Sequence, residues 1–396
     1  MAMTSTQFMA APGGFSATLS NKLDKIDCSQ VLAAVLNADT ALLGHIKMGA
    51  VGHNIEHNWI EDGLNPAYVL ASCTSVGTVV CSTYTTASLQ RILRKNVILN
   101  PAGTEIRWQC DTSVTLNSIF GGVYGSTTWA SWTTTKCYIV GMPYADIDAA
   151  SSDISVTRTK RRNFMQVLER AIEITQTRSN MNMEAVTNEL QTQIKRRTLE
   201  IKRELDMSVI RGYAKATGAN TYSGAHELRT MAGIIQLIRD PDLDSDPSDT
   251  LVTQVSGALT IAGVNSLVHK IFDEGGLDEE ASPIILVGAK QARVIASWEK
   301  ELRRVEQGER TVGYYRNIFL SDLGVEFPIV LDRWMPNDKL IILDRSRVSL
   351  SHLANDAWHM EKMAKTGRNQ KWQLSGQYTL ELRNANECHG MLYDLT

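Results

Sequence analysis

An α+β chain is predicted, on three observations. From about Met181 to Ala216, apolar side chains recur at Met183, Val186, Leu190, Ile194, Ile201, Leu205 and Val209, with Thr198 filling the gap. Those steps of three and four share one face of a helix. Between Tyr68 and Met142 the composition turns to Thr, Ser, Val, Gly and aromatics in short apolar runs, the pattern of a small all-β sandwich or barrel. From about 231 to 345 helical and strand patterns alternate, as in a sheet covered by helices.

The chain has 396 residues, enough for two or three domains. Its hydrophobic content of 43% and charged content of 21% are those of a globular protein, and a net charge of −3 excludes a generally basic nucleic-acid binder. No run of about 18 apolar residues occurs, and Met1 to Ala11 lacks a basic stretch followed by a hydrophobic core. Neither a membrane span nor a secretory signal is expected, and cytoplasmic synthesis follows. The cysteines Cys28, Cys73, Cys81, Cys110, Cys137 and Cys388 include no closely spaced metal or redox pair, so reduced thiols are expected. Cys73 and Cys81 flank Gly77 symmetrically, and a three-residue hairpin loop at Val76 to Thr78 would bring them face to face.

Residues 1 to about 28 are rich in Ala, Gly, Ser and Thr and read as an arm that needs a neighbour to order it. Ser29 to Leu43 has the spacing of a short amphipathic helix, and His53 to Trp59 alternates as a strand does. Inside the β module, apolar runs fall at Val76 to Tyr84, Val97 to Leu99, Ile106 to Trp108, Val114 to Ile119 and Cys137 to Val140. Asn163 to Thr175 resumes a β pattern and, with Asn54 to Leu64, reads as a strand pair on which the module is mounted. The long helix follows. At 1.5 Å per residue it would extend roughly 50 Å, passing one internal glycine, Gly212, and stopping near Gly218. Residues 251 to 274 read as helix, Pro283 to Gly288 as a buried strand, Gln291 to Arg304 as helix, and Val325 to Leu331 and Leu340 to Leu343 as strands. Beyond Val348 a long alternation implies two antiparallel strands, a ribbon on which the long helix can lie.

Three stretches hold chemistry-bearing residues. His53, Glu56 and His57 match H-x-x-E-H, which on a helix places two imidazoles on one face for zinc with the glutamate as base, so a zinc-dependent peptidase is one alternative reading. The neighbouring glycines and asparagines argue for a strand edge and against that helix. Trp108, Tyr124, Trp129 and Trp132 offer a second alternative, a carbohydrate- or nucleic-acid-binding face on the β module, set against the ordinary use of aromatics as core. Arg158, Lys160, Arg161 and Arg162 form a cationic run without interleaved aromatics, better suited to a partner's acidic surface than to phosphates. The acidic run Asp240 to Asp249 fails the calcium-loop pattern, having Pro247 and Thr253 where glycine and glutamate are required. No glycine-rich phosphate loop is found.

The element order, together with His57-Asn-Trp59-Ile-Glu-Asp62-Gly-Leu64, Asn163-Phe-Met-Gln166-Val, Lys202-Arg-Glu-Leu-Asp206, Gly233-Ile-Ile, and Gly275-Gly276 before Ile284-Ile-Leu-Val287, resembles the major capsid proteins of tailed bacteriophages with the Hong Kong 97-type fold. The resemblance implies an N-terminal arm (1–52), an extended β-loop (53–68 and 143–178) carrying an inserted all-β module (69–142), a peripheral domain with a spine helix and β-ribbon (179–230 and 346–396), and an axial α/β domain (231–345). It also implies a structural subunit that self-assembles into hexamers and pentamers of an icosahedral shell around double-stranded DNA. Portal and decoration proteins, with a separate scaffolding protein or none, would be the other partners, with no membrane. The virion capsid, assembled in the host cytoplasm, would be its location. No catalytic residue, metal or cofactor is implied.

Overall fold

In the computed structural model, residues 40–62, 68–75, 78–81, 97–100, 106–115, 118–123, 132–141, 158–180, 189–214, 229–243, 251–298, 318–365 and 367–396 are described. They begin with strand β1 (Lys47–Met48) and β2 (Glu56–Glu61). Six strands follow, β3 (Tyr68–Ser75), β4 (Thr78–Cys81), β5 (Val97–Asn100), β6 (Ile106–Thr115), β7 (Ser118–Val123) and β8 (Trp132–Gly141). Next come β9 (Thr159–Phe164), β10 (Gln166–Thr175), the short helix α1 (Gln176–Asn180), the long helix α2 (Glu189–Arg211) and α3 (Ile234–Arg239). The chain continues through β11 (Val252–Gly257), α4 (Ile261–Asp273), β12 (Pro283–Val287), α5 (Ala289–Ala296), β13 (Ile318–Leu320), β14 (Glu326–Leu331) and β15 (Leu340–Asp344). It ends with β16 (Val348–His352), β17 (His359–Lys362), β18 (Asn369–Leu382), α6 (Ala385–Cys388) and β19 (Gly390–Leu395). By contact these divide into two units, Met1–Asn58 with Arg162–Thr396, and Trp59–Arg161.

The second unit contains a closed barrel in the order β3-β4-β7-β6-β5-β8, antiparallel throughout. Closure leaves no open sheet edge, which is how so small a β module protects its backbone donors and acceptors. Ala71, Val97 and Cys137 are buried within it. The hairpin register differs from expectation: Ser75 opposes Thr78 and, past a bulge, Ala71 opposes Cys81, while Cys73 opposes Trp132 on β8. The Ser75–Thr78 pair is already one residue off the symmetric register, and the bulge shifts it by one more, so Cys73 is not across from Cys81. The side chains of Trp108, Tyr124, Trp129 and Trp132 lie outside the described residues.

In the first unit β10, β18 and β16 form an antiparallel sheet, with β17 also on β18 and β1 joining β16 in parallel. Leu168, Ile172 and Ile174 are buried on one face of β10, and Val167, Glu169, Ala171 and Glu173 are exposed on the other. Ile201, Leu205 and Val209 of α2 meet that apolar face in one core with Leu168, Leu374, Tyr378 and Leu380. The ribbon expected to support the long helix does so, although the stretch Asn163 to Thr175 divides its pairing. β9 joins β2, whereas β10 turns to β18. The described helix is shorter than expected: residues 181–188 lie outside the described residues, and α2 stops at Arg211. Gly212 is the stop because a Cβ there would lie 2.4 Å from the Met231 carbonyl oxygen, and one on Gly233 would lie 2.6 Å from the Gly212 nitrogen. Only two glycines allow the end of α2 to touch the start of α3 so closely.

The other sheet runs β11-β19-β15-β12-β14-β13. Its strands alternate between two cores. Ile284, Leu286, Ile341 and Leu343 point into the core shared with α2 and α3, while Ile285, Val287, Leu340 and Ile342 pack beneath α4 and α5. Two corrections arise here. Residues 251 to 274 are not helix throughout: β-branched Val252, Thr253 and Val255 form β11 alongside β19, and helix α4 starts only after Thr260, whose hydroxyl accepts from the Gly263 N–H at 3.1 Å. And the C-terminal β19 inserts between β11 and β15, so the boundary drawn at 345/346 does not separate this sheet from the tail. The helix expected from Gln291 to Arg304 is Ala289–Ala296, with 299–317 outside the described residues. Of the Ser29 to Leu43 helix, residues up to 39 lie outside as well, and Leu42–Gly44 is a single 3-10 turn.

Candidate functional site

At the junction of the helix, the ribbon and the Met231–Gly233 segment sits Asn163, which is 0% exposed. Its amide donates to the carbonyls of Ala232 (3.0 Å) and Leu380 (2.7 Å), and its Oδ1 accepts from the N–H groups of Ala232 and Phe164, both at 2.8 Å. A buried side chain with all its hydrogen bonds made fixes geometry as well as energy, because any shift strands several polar groups at once. Gln166 adds to the junction. It donates to Ser208 Oγ on α2 (3.3 Å) and accepts from the Met231 N–H (3.2 Å). Arg170 then ties β10 to Glu204 of α2 at 2.5 Å.

The H-x-x-E-H residues occupy no helix. His53 is exposed ahead of β2, and Glu56 and His57 are successive residues of β2, so their side chains leave on opposite faces. That alternation takes Glu56 away from the His57 imidazole, so the glutamate is not placed as the base that the peptidase reading requires. His57 instead meets Glu381 of β18, Nε2 to Oε2 at 3.1 Å, with side chains 11% and 3% exposed. Arg383 Nε donates to the other carboxylate oxygen at 2.5 Å. Burial alone would raise the Glu381 pKa. The hydrogen bonds from His57 and Arg383 and the Arg383 charge outweigh it and hold the carboxyl below the usual range. The base of β2 is thereby fastened to the ribbon.

Just past the ribbon His389 is wholly buried. Its Nδ1 accepts from the Asp344 N–H at 3.1 Å, so Nε2 carries the proton and donates to the Arg383 carbonyl at 3.1 Å. Desolvation pushes its pKa down to about 4, against the pull of Asp344 and of the Arg383 carbonyl. The neutral ring is a staple between the two sheets.

The chain matches the SU10 major capsid protein family over residues 5–396. It belongs to that family. The major capsid protein of Escherichia phage Phieco32 is 20% identical, covering 57% of this chain and 73% of that protein. Among solved structures, the Cyanophage A-1(L) capsid asymmetric unit aligns over 95% of this chain and 98% of its own, at 11% identity and a TM-score of 0.51. The capsid of an empty GTA particle aligns over 98% of this chain and 100% of its own, at 10% identity and a TM-score of 0.51. At such identities these two establish the fold alone, the Hong Kong 97-type capsid fold.

For an SU10-family capsid protein the relevant surfaces are those that a neighbouring subunit covers. Met48 on β1 is 62% exposed and Ile60 on β2 is 68% exposed, and Val51 and Ile55 on the chain leading to β2 are exposed as well. The cationic run that sequence reading assigned to a partner is partly satisfied within the capsid protein itself. Arg161 pairs with Glu61 at 3.1 Å, each side chain 11% exposed, and Arg158 pairs with Asp62 at 3.0 Å. Glu61 also accepts from Trp59 Nε1 at 3.0 Å, which the sequence pattern did not reveal. No described helix is long and apolar enough to cross a membrane.

Proposed function

We propose that the chain is the repeating unit of an icosahedral shell, forming hexamers and pentamers that enclose double-stranded DNA, with one vertex occupied by a portal. In this reading 1–52 is an arm, 53–68 and 143–165 an extended loop carrying the β module at 69–142, 166–230 and 346–389 the peripheral domain, and 231–345 with the C-terminal strand β19 the axial domain. The observation that carries it is the long helix lying on a ribbon sheet, with large apolar side chains exposed on the ribbon's edge strand β1 (Met48) and on β2 (Ile60). In a family of capsid subunits, these side chains fit cover by neighbouring copies on assembly. Assembly in the host cytoplasm, with scaffolding or decoration proteins as further partners, follows from the family. The role is structural, and no reaction is assigned to any residue.

Expression of the full chain followed by negative-stain microscopy tests the reading. Closed shells or capsomers of five and six subunits are expected. A monomer that stays dispersed at every concentration, with the fold intact by circular dichroism, would overturn it.

A further inference from the structure

The layer made by α2 and the ribbon sheet is electrically lopsided. Each glutamate of α2 is engaged by an arginine: Glu189 with Arg178 (3.2 Å), Glu200 with Arg197 (2.6 Å) and Glu204 with Arg170 (2.5 Å). Lys195, Arg196 and Lys202, by contrast, make no ion pair among the described residues, and both lysines are exposed. Lys195 and Lys202, seven residues apart, stack within about 20° of each other and about 10 Å apart along the axis, and Arg196 follows about 100° further round. The two lysines flank the stripe of Ile201 and Leu205 that faces the ribbon, and Arg196 lies on the side opposite to it. Arg203 lines up with Arg196, within about 20° of it, and lies over the Trp334 ring at 5.9 Å.

On the ribbon's opposite face the sign reverses. Glu169 and Glu173 occupy the exposed positions of β10, and Glu361, in register with Gln373 and Ala171, is on the same face. Lys371 offsets Glu173 there at 3.3 Å. A chain of net charge −3 thus places unpaired cations on one side of a single two-layer element and a carboxylate-rich surface on the other.

The geometry points to the Lys195–Arg196–Lys202 face of α2 as a sequence-independent contact for duplex DNA inside the shell, the carboxylate face of the ribbon being turned outward. This rests on the shell-subunit reading and gives it a direction. Three cations on a rigid helix match phosphate contact, which needs charge and spacing but no base readout. Each subunit contributes weakly, and many copies lining the lumen would add up without tight binding at any one.

The test measures binding of a short random-sequence duplex to the unassembled full-length chain by fluorescence anisotropy, from about 50 mM to 200 mM salt. The variant with Lys195→Gln, Arg196→Gln and Lys202→Gln is expected to bind about tenfold more weakly at the lower salt, with the log–log salt slope reduced by about 2 to 3. The Glu169→Gln, Glu173→Gln variant should leave that slope unchanged. Thermal melts matching the wild type show that neither set disturbs the fold. Unchanged binding by the triple variant would overturn the inference, as would binding of poly-glutamate in preference to the duplex, which would make this face a site for an acidic protein. Shell formation is scored separately by microscopy. Loss of wild-type shells would sink the shell reading, while the anisotropy result would still decide whether this face meets DNA.

Discussion

His389 illustrates how a single side chain sets a pH dependence. Its folded pKa, about 4, lies below the ordinary value of 6.5 because burial penalises the imidazolium. In between, the unfolded chain binds a proton that the native chain refuses, so the stability is fully present above about pH 6.5 and is lost as pH falls towards 4. A depression of that size corresponds to roughly 3 kcal/mol over the whole window. Urea midpoints at pH 7 and pH 4.5 should show the drop in the wild type. His389→Leu should lower stability at pH 7 by about 2 to 4 kcal/mol, since the Asp344 N–H and the Arg383 carbonyl lose their partner, and should flatten the pH dependence in that window. An equally steep fall in the variant would place the acid sensitivity elsewhere. Glu381, with its depressed pKa, adds a second loss at lower pH as its carboxylate protonates and releases His57 and Arg383.

At the scale of elements, the long helix depends on its C-terminal half. Leu205 and Ile201 are fully buried against the ribbon, while Ile194 is only partly covered. Leu205→Ala should therefore cost about 2 to 5 kcal/mol in a denaturant titration, the range for emptying a well-packed leucine site, and Ile194→Ala distinctly less. Similar losses at the two sites would mean that the helix packs evenly along its length. The barrel makes the opposite case. Tyr68 opposes Tyr138, so the chain enters and leaves the module side by side. Replacing Val69 to Gly141 with a short Gly-Ser linker should leave a soluble chain that retains its helical circular dichroism. An insoluble product would show that the rest of the chain needs the barrel to fold.

For the whole molecule, apolar residues that the isolated subunit leaves in water test what covers them. Met48→Asp and Ile60→Asp change side chains that are 62% and 68% exposed, so the melting temperature of the unassembled subunit should stay within a degree or two. In the shell the same charges would be buried without partners, at several kcal/mol per contact repeated over every subunit, and closed particles should fail to form. Normal particles from both variants, seen by electron microscopy, would mean that neither side chain is covered on assembly.

Patterns of period two and period 3.6 marked the long helix, the buried strand at Pro283 and the all-β insertion, and element order pointed to the capsid fold, because those signals reside in neighbouring residues. What tertiary structure alone decided is pairing across distance. The β-branched Val252, Thr253 and Val255 favour a strand locally, but a run of six residues leading into a helix becomes one only because β19, some 140 residues later, lies alongside it. The Cys73 to Cys81 spacing was symmetric in sequence, yet the pairing of Ser75 with Thr78 and then a bulge, neither with a signature there, moved the register by two residues in all. His57, read as an edge-strand residue inside a metal-ligand motif, became the partner of Glu381, while Asn163, an ordinary residue in the chain, became the joint of three elements because burial forced every one of its hydrogen bonds to be made at once.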